Sequence, residues 1–334
     1  MPGAGDADAQ ALHATLERLH RGRDAIAQVV MGQENAVDEV LIALIAGGHV
    51  LIESAPGLGK TLLVRTLGRV FGLASNRVQF TPDLMPADIT GTFSLTPSEH
   101  GTMEPRFQPG PIFAQMVLAD EINRATPKTQ AALLEAMQEG TVTVMGAEHP
   151  LPVPCFVLAT QNPIEMEGTY LLPEAQIDRF LFKIDVPFPP REVLARIVET
   201  TTGNDVADVP QVLTPEDVLD VQRWARDVPV STEIVDVVTR LVRATQPDLE
   251  EAPDLVRTYV RHGVSPRGAQ SLVLAAKARA LLAGRHAVAV DDVRGVSRPA
   301  LRHRIHMNFE ARADGVTTDA VVRALLDSVV ASHA

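Results

Sequence analysis

Ser54-Ala-Pro-Gly-Leu-Gly-Lys-Thr61 follows the apolar run Val50-Leu51-Ile52 and precedes Leu62, Leu63, Val64 and Leu67 at helical spacing. The stretch reads as strand, tight loop and helix. Such a loop turns successive backbone N–H groups toward one point, with the positive end of the helix macrodipole behind them, and the point suits phosphate. Gly57 and Gly59 let the backbone approach closely, Lys60 reaches outer phosphates as a point charge, and the Thr61 hydroxyl can ligate Mg²⁺. The residues expected around the phosphates are Ala55, Pro56, Gly57, Leu58, Gly59, Lys60, Thr61 and Leu62. The pattern G-x-x-x-x-G-K-[ST] is met at three of its four fixed positions, because Ser54 stands where the first glycine belongs. Ser54 either alters the loop's entry geometry or weakens phosphate binding. The bland alternative is a glycine-rich turn with a solvated lysine.

Two further apolar runs end in polar groups of the right kind. Met116-Val-Leu-Ala-Asp-Glu121 closes on adjacent carboxylates, and ligands collect at the carboxyl ends of strands in open α/β sheets. Asp120 can hold a metal on the nucleotide, and Glu121 can take or orient the proton of an attacking water. Alone, the pair would read as an acidic helix cap. Phe156-Val-Leu-Ala-Thr160 runs into Gln161-Asn162-Pro163. The Asn162 amide can hydrogen-bond a terminal phosphate and the attacking water at once. Alone, it would be a turn residue before proline.

Composition bounds the class. With 334 residues, 46% of them hydrophobic, the chain can bury a sizeable core and form two domains. Its formal charge of 30 − 42 = −12 argues against a nucleic-acid-coating protein. The single Cys155 lies in an apolar run and reads as a buried strand thiol, so a reducing, cytoplasmic setting is expected. No targeting segment is visible at the N-terminus, and the apolar stretch from Val40 to Ile52 is too short to insert in a membrane.

Taken in order, residues 1–9 read as a disordered lead-in, Gln10 to Val30 as an amphipathic helix, and Ala36 to Ile45 as an apolar one. Arg77 to Phe80 predicts a strand and residues 87–110 an elaborated loop. A helix capped by Thr126 and Pro127 ends at Gly140. Thr141 to Val144 and Leu151 to Val153 then predict a hairpin. Arg179 stands on a predicted helix, Pro173 to Phe180, as either an exposed ion-pair partner or a finger for a neighbour's site. Leu181 to Asp185 predicts another strand, and Pro187-Phe-Pro-Pro190 marks a boundary. The expected divisions are a tail and helix at 1–24, an α/β domain at 25–189 and a helical domain at 190–334. Beyond the boundary only helices are read, including 214–224 behind the capping box Thr214-Pro-Glu-Asp217 and 291–304. Arg267 falls in the first turn of the helix at 267–282, where a cation opposes the macrodipole and a phosphate partner would explain it.

In this order, Ser54 to Thr61, Phe80-Thr-Pro-Asp-Leu-Met-Pro-Ala-Asp-Ile-Thr-Gly91, Pro109-Gly-Pro-Ile-Phe113, Leu118-Ala-Asp-Glu-Ile-Asn-Arg-Ala125, Ala159-Thr-Gln-Asn-Pro163, Pro173 to Phe180, Ser265-Pro-Arg267 and Leu301-Arg-His-Arg-Ile305 form a set. The set resembles the AAA+ ATPases, and more closely the MoxR family, over roughly residues 25–310. The resemblance implies a P-loop AAA+ domain, a parallel sheet flanked by helices, with a C-terminal all-α lid. It implies an ATPase using ATP and Mg²⁺, with Lys60 and Thr61 in Walker A and Asp120 and Glu121 in Walker B. Asn162 is similar to sensor 1, Arg179 to an arginine finger supplied in trans, and Arg267 to sensor 2. Arg124 is a second candidate for contact across a subunit boundary. Segments 84–108 and 141–153 resemble pore-lining elements of related rings. Ser54 and the charged stretch from Glu250 to Gly263 depart from the family pattern.

The expected activity is ATP hydrolysis in a ring, a hexamer, with ATP between the two domains. The task implied is chaperone-like remodelling of a protein partner, of the kind bearing a von Willebrand factor A domain. The rivals are a motor subunit of magnesium-chelatase type and an ATP-binding scaffold with little hydrolysis.

Overall fold

The protein is described by a computed structural model over residues 4–97, 102–162, 169–202 and 209–330, with side chains from 10 to 329. Helices α1 (Ala4–Val29) and α2 (Glu34–Ile45) lead into β1 (Val50–Glu53) and α3 (Lys60–Val70). There follow β2 (Ser75–Gln79), α4 (Pro86–Thr90), β3 (Gly91–Pro97), β4 (Met103–Pro109), β5 (Met116–Asp120) and α5 (Pro127–Glu139). The α/β part closes with β6 (Thr141–Val144), β7 (Ala147–Pro150), β8 (Phe156–Gln161), α6 (Glu174–Ile177) and β9 (Phe182–Asp185). Beyond it come α7 (Arg191–Thr201), α8 (Pro215–Asp227), α9 (Thr232–Arg243), α10 (Asp254–Tyr259) and β10 (Val260–His262). The chain ends in α11 (Pro266–Leu282), α12 (Val290–Leu301), β11 (His306–Met307), α13 (Phe309–Ala313) and α14 (Thr318–Val330).

Five strands form one parallel sheet in the order β2-β5-β8-β1-β9. The chain leaves β1 for the far edge, returns through β5 and β8, and passes over β1 to add β9. Order therefore reverses around β1, and the carboxyl ends of β5, β8 and β1 stand side by side. Alternation along each strand divides the interior. Val50, Ile52, Met116, Leu118, Phe156 and Leu158 enter one core, whereas Leu51, Val117, Ala119, Val157 and Ala159 enter a second with Leu133 and Leu134 of α5. The first core runs without a break into α8, α9, α11, α12 and α14 through Val218, Val237, Leu272, Val296 and Leu325. Apolar packing thus crosses the chain boundary expected at Pro187 to Pro190. Among the described residues, no helix is long and apolar enough to cross a membrane.

Several local expectations need correction. Helix α1 begins at Ala4, inside the stretch expected to be disordered. Residues 87–110 are not a plain loop: α4 and the β3–β4 hairpin occupy most of them, paired from Gly91↔Pro109 to Pro97↔Met103. Pro97, Pro105 and Pro109 hid the hairpin, because prolines are tolerated in an isolated two-stranded ribbon whose outer N–H groups need no partner. The second arm of the next hairpin is Ala147–Pro150 and not Leu151 to Val153. Met145 (φ 51°) and Gly146 (φ 81°) form a two-residue turn of the type that starts the return strand at once. His149 stacks on Phe107 with centroids 3.8 Å apart, and Phe93 and Phe113 flank Phe107, so the two hairpins pack as one unit. Cys155 lies one residue before β8 and is half-buried, and burial pushes its thiol up to about 11. The helical region also contains α10, α13 and the small β10–β11 ribbon, which periodicity did not reveal. Helix α8 runs on to Asp227, and α12 stops at Leu301, leaving Arg302, His303 and Arg304 in the following turn. Pro163 lies outside the described residues.

Candidate active site

The loop between β1 and α3 has the conformation its glycines allow. Gly57 (φ 81°) and Gly59 (φ 76°) are left-handed, and Gly59 caps α3. A side chain at Gly59 would strain the first turn of that helix. Gln33, just before α2, donates from Nε2 to the Leu58 carbonyl at 2.9 Å and steadies the outer edge of the loop. Lys60 donates to its own loop: Nζ lies 3.0 Å from Ser54 Oγ and 3.3 Å from the Ala55 carbonyl. Ser54 is buried, so the residue that breaks the glycine pattern is a partner of the lysine.

Loop and strand ends enclose a cavity of about 290 Å³ lined by Pro56, Gly57, Leu58, Gly59, Lys60, Thr61, Arg77, Gln79, Asp120, Glu121 and Asn162. Ala55 turns its carbonyl to Lys60, and the exposed Leu62 lies outside the lining. Asp120 and Asn162 are both buried at the ends of their strands. Asp120 Oδ1 accepts from Thr160 Oγ1 at 2.7 Å, and Oδ2 accepts from Arg77 Nη2 at 2.7 Å. Glu121 stands in the left-handed region (φ 57°), which costs about 1 kcal/mol for a residue with a Cβ. Its N–H donates to Thr160 Oγ1 at 2.8 Å. Its carboxylate accepts from Gln79 Nε2 and from Arg124 Nη1, each at 2.9 Å. Thr61 and Asp120 offer the hard oxygen donors Mg²⁺ prefers. Asp120 already keeps one cationic group, the Arg77 guanidinium, against it, so the pair fits that metal.

Arg179, expected to serve a neighbour's site, and Arg267, expected to reach this one, both lie away from the cavity lining. Arg179 sits in the turn after α6 and Arg267 in the exposed first turn of α11; neither lines the cavity. They belong to a second locus built on Asp178. Asp178 Oδ2 accepts from Ser265 Oγ at 3.1 Å, and Oδ1 accepts from Arg304 Nε at 2.6 Å. Arg304 also donates to the carbonyls of Asp178, Phe180 and Leu181 and to Ser271 Oγ. It is almost fully buried, and desolvation, with Arg267 nearby, lowers its pKa against the pull of Asp178. This clamp joins the start of α11 to the turn carrying Arg179. Arg124 is paired with Glu121 of its own chain.

Sequence reading missed Arg77, Gln79, Thr160 and Gln33. Arg77 and Gln79 alternate along β2 and share a side, but only the pairing Gln79↔Asp120 brings that side to the acids. The sequence contains the strand without its neighbour.

Comparison with known proteins places the fold in a family. The model of the ATPase family associated with various cellular activities (AAA) matches residues 49–182, and that of the AAA lid domain matches residues 253–325. Chaperone MoxR1 of Mycobacterium tuberculosis is 41% identical over 96% of this chain and 84% of its own. Protein YeaC of Bacillus subtilis is 42% identical over 93% of this chain and 94% of its own. A crystal structure from Cytophaga hutchinsonii superposes with a TM-score of 0.89 at 36% identity, covering 96% of this chain and 97% of that one. This chain belongs to the MoxR family of AAA+ ATPases.

Proposed function

We propose that this chain is a Mg²⁺-dependent ATPase that works as a ring, expected to have six subunits, and remodels a protein partner. The observation that carries the reading is the convergence of Lys60, Thr61, Asp120, Glu121 and Asn162 on one cavity, while Arg179 and Arg267 gather on a separate locus of the same chain. A phosphoryl-transfer site needs cations around the departing phosphate. This cavity has only part of that set within one chain, and a head-to-tail neighbour could supply the rest.

In this reading the loop N–H groups and Lys60 hold the phosphates, and Thr61 with Asp120 hold the metal, which neutralises phosphate charge. Glu121 accepts the proton of the attacking water once freed from Gln79 and Arg124, and Asn162 orients that water. Arg179 and Arg267 arrive together from the next subunit, because the Asp178 clamp ties the turn carrying one to the helix start carrying the other. The in-chain hold on Glu121 favours slow basal turnover, the property that would make the protein resemble a scaffold until a partner engages. Residues 25–189 would act as base and 190–334 as lid. The exposed Met145, Leu95 and Met103 on the joined hairpins are suited to gripping an unfolded or flexible client. The name of the mycobacterial relative, Chaperone MoxR1, supports such a task. A cytoplasmic setting and a partner with a von Willebrand factor A domain complete the proposal.

The test is Glu121→Gln. ATP binding should persist within about threefold, since the amide keeps the size of the side chain, and phosphate release should disappear. Retained turnover would refute the assignment of Glu121 as base.

A further inference from the structure

The β5–β8 ladder stops at Ala119↔Ala159, one residue short of the acids. Beyond that point the partner that β8 offers to β5 is a side chain. Thr160 is fully buried, and its hydroxyl serves both acids: Oγ1 accepts the Glu121 N–H at 2.8 Å and donates to Asp120 Oδ1 at 2.7 Å. A hydroxyl carries a single proton, so with Asp120 taking it the oxygen is left to accept from Glu121. Hydrogen bonds in such a chain strengthen one another in a buried site. The other partners of the two acids do not duplicate this hold. Arg77 Nη2 donates to Asp120 Oδ2 at 2.7 Å, but the Arg77 side chain is 50% exposed against 11% for Asp120, so the guanidinium can follow the carboxylate and does not fix it. The Glu121 carboxylate accepts from Gln79 and Arg124, and the Glu121 carbonyl accepts from the Arg124 N–H at 2.9 Å. Those contacts act on the outer groups of Glu121. Its N–H, at the entry to a left-handed residue, goes to Thr160.

We infer that Thr160 is a positioning residue for ATP hydrolysis, which sets from β8 both the Asp120 carboxylate that holds the metal and the backbone turn that carries Glu121 into the cavity. The inference rests on the function proposed above. With Oδ1 engaged by the hydroxyl, the Asp120 carboxylate is fixed in rotation, and Oδ2 is the oxygen turned toward Arg77 and the cavity that both residues line. Remove the hydroxyl, and the carboxylate can turn about its last bond while a buried charge loses a donor. The same change strips the strand-side support from the left-handed turn at Glu121, whose strain is then held only by the surrounding chain. Asn162, two residues further along, lines the same cavity. The end of β8 is therefore a common reference for the metal-holding acid, the base and the water-orienting amide, and one hydroxyl carries that reference across to β5.

The test uses the full chain and a fluorescent, non-hydrolysable ATP analogue, titrated once with EDTA and once with Mg²⁺. The ratio of the two affinities reports the contribution of the metal without any turnover. In Thr160→Val, which keeps the shape of the side chain and removes the hydroxyl, that ratio should fall about tenfold, the effect of one lost hydrogen bond to a charged group. Metal-free affinity should stay unchanged, and phosphate release from ATP should fall by at least as much as the ratio. Thr160→Ser, which keeps the hydroxyl, should bring both quantities back to within about threefold of wild type. A Thr160→Val protein with the wild-type ratio, or a lost ratio that Thr160→Ser does not restore, would overturn the inference and leave the ATPase reading standing. Equal loss of affinity with and without metal would overturn it too, since that marks a general change in the fold. Should Thr160→Val fail to fold, Thr160→Cys takes its place, with a weak donor of similar size and the same expected direction. A wild-type chain that does not bind the analogue at all would remove the proposed function itself.

Discussion

The cavity at the strand ends and the locus around Asp178, which the proposed function joins in one reaction, are built in different ways. In the cavity, three adjacent parallel strands bring the ends carrying Asp120 and Asn162 beside the loop that leads from β1 to Lys60. At the other locus no strand end helps. Arg179 and Arg267 are positioned by an aspartate gripped from two sides by groups 87 and 126 residues away. A cavity made by a sheet is robust and complete in itself as a binding site. In the proposed function a locus made by a clamp would serve a neighbouring copy, and assembly would then be a condition of activity.

The comparison is broken most severely by removing the arginines. Arg179→Ala should lower turnover by about a thousandfold or more, the range for a finger acting on a phosphoryl group, with ATP affinity nearly unchanged. Steady-state phosphate release set beside equilibrium binding checks this, and equal losses in both would put Arg179 in the binding site instead. Arg304→Ala strikes the clamp itself. It removes the Arg304 donor from Asp178 and from several carbonyls and should cost about 3–5 kcal/mol in a denaturant titration, whereas the equally drastic Lys60→Ala should leave stability nearly intact.

The seam between the two regions offers a smaller effect. Glu39 of α2 faces Arg298 and Arg302 from the C-terminal helices, with Asp185 and Asp319 close by. Burial pushes its carboxyl up from 4.5 to about 7, against the pull of the two arginines. A raised folded-state pKa favours the protonated fold, so this contribution is complete below pH 4.5 and is lost as pH rises through 7. Asp185, also raised by burial, adds a term of the same sign. Glu39→Gln should flatten the pH dependence of the melting temperature between pH 4.5 and 7. Above pH 7 it should stabilise the protein by at most about 3 kcal/mol. An unaltered pH profile would show that Glu39 does not report on the seam.

The smallest effect concerns Ser54. Its hydroxyl accepts from Lys60 at 3.0 Å, and Ser54→Gly removes that competitor for phosphate. ATP should bind about fivefold more tightly, near 1 kcal/mol. Weaker binding in a calorimetric titration would instead make the serine a useful guide for the lysine.

The cavity was legible in the sequence because its parts are local. A glycine loop between an apolar run and a helix, and two apolar runs ending in Asp120-Glu121 and in Asn162, each announce a strand end with a polar tip. Their convergence needed only a parallel sheet. The second locus was not legible, because Ser265, Asp178 and Arg304 have no shared spacing, and Ser265 reads as a helix cap when its hydroxyl in fact serves Asp178. Arg77 and Gln79 were missed for a related reason: alternation puts them on one side of β2, but strand order decides what that side faces. The β3–β4 hairpin was obscured by its own prolines. For the clamp and for β2 the missing term was a partner distant in sequence.

The separation of cavity from arginines is tested most directly by mixing two inactive proteins. Glu121→Gln keeps the arginines and lacks the base; a protein with both Arg179→Ala and Arg267→Ala keeps the base and lacks the arginines. If a head-to-tail neighbour completes the site, equal mixing into common assemblies should restore about a quarter of wild-type ATP turnover, since one junction in four would pair an intact cavity with an intact arginine face. Mixed assemblies verified by two affinity tags that still release no phosphate at any ratio would contradict the account.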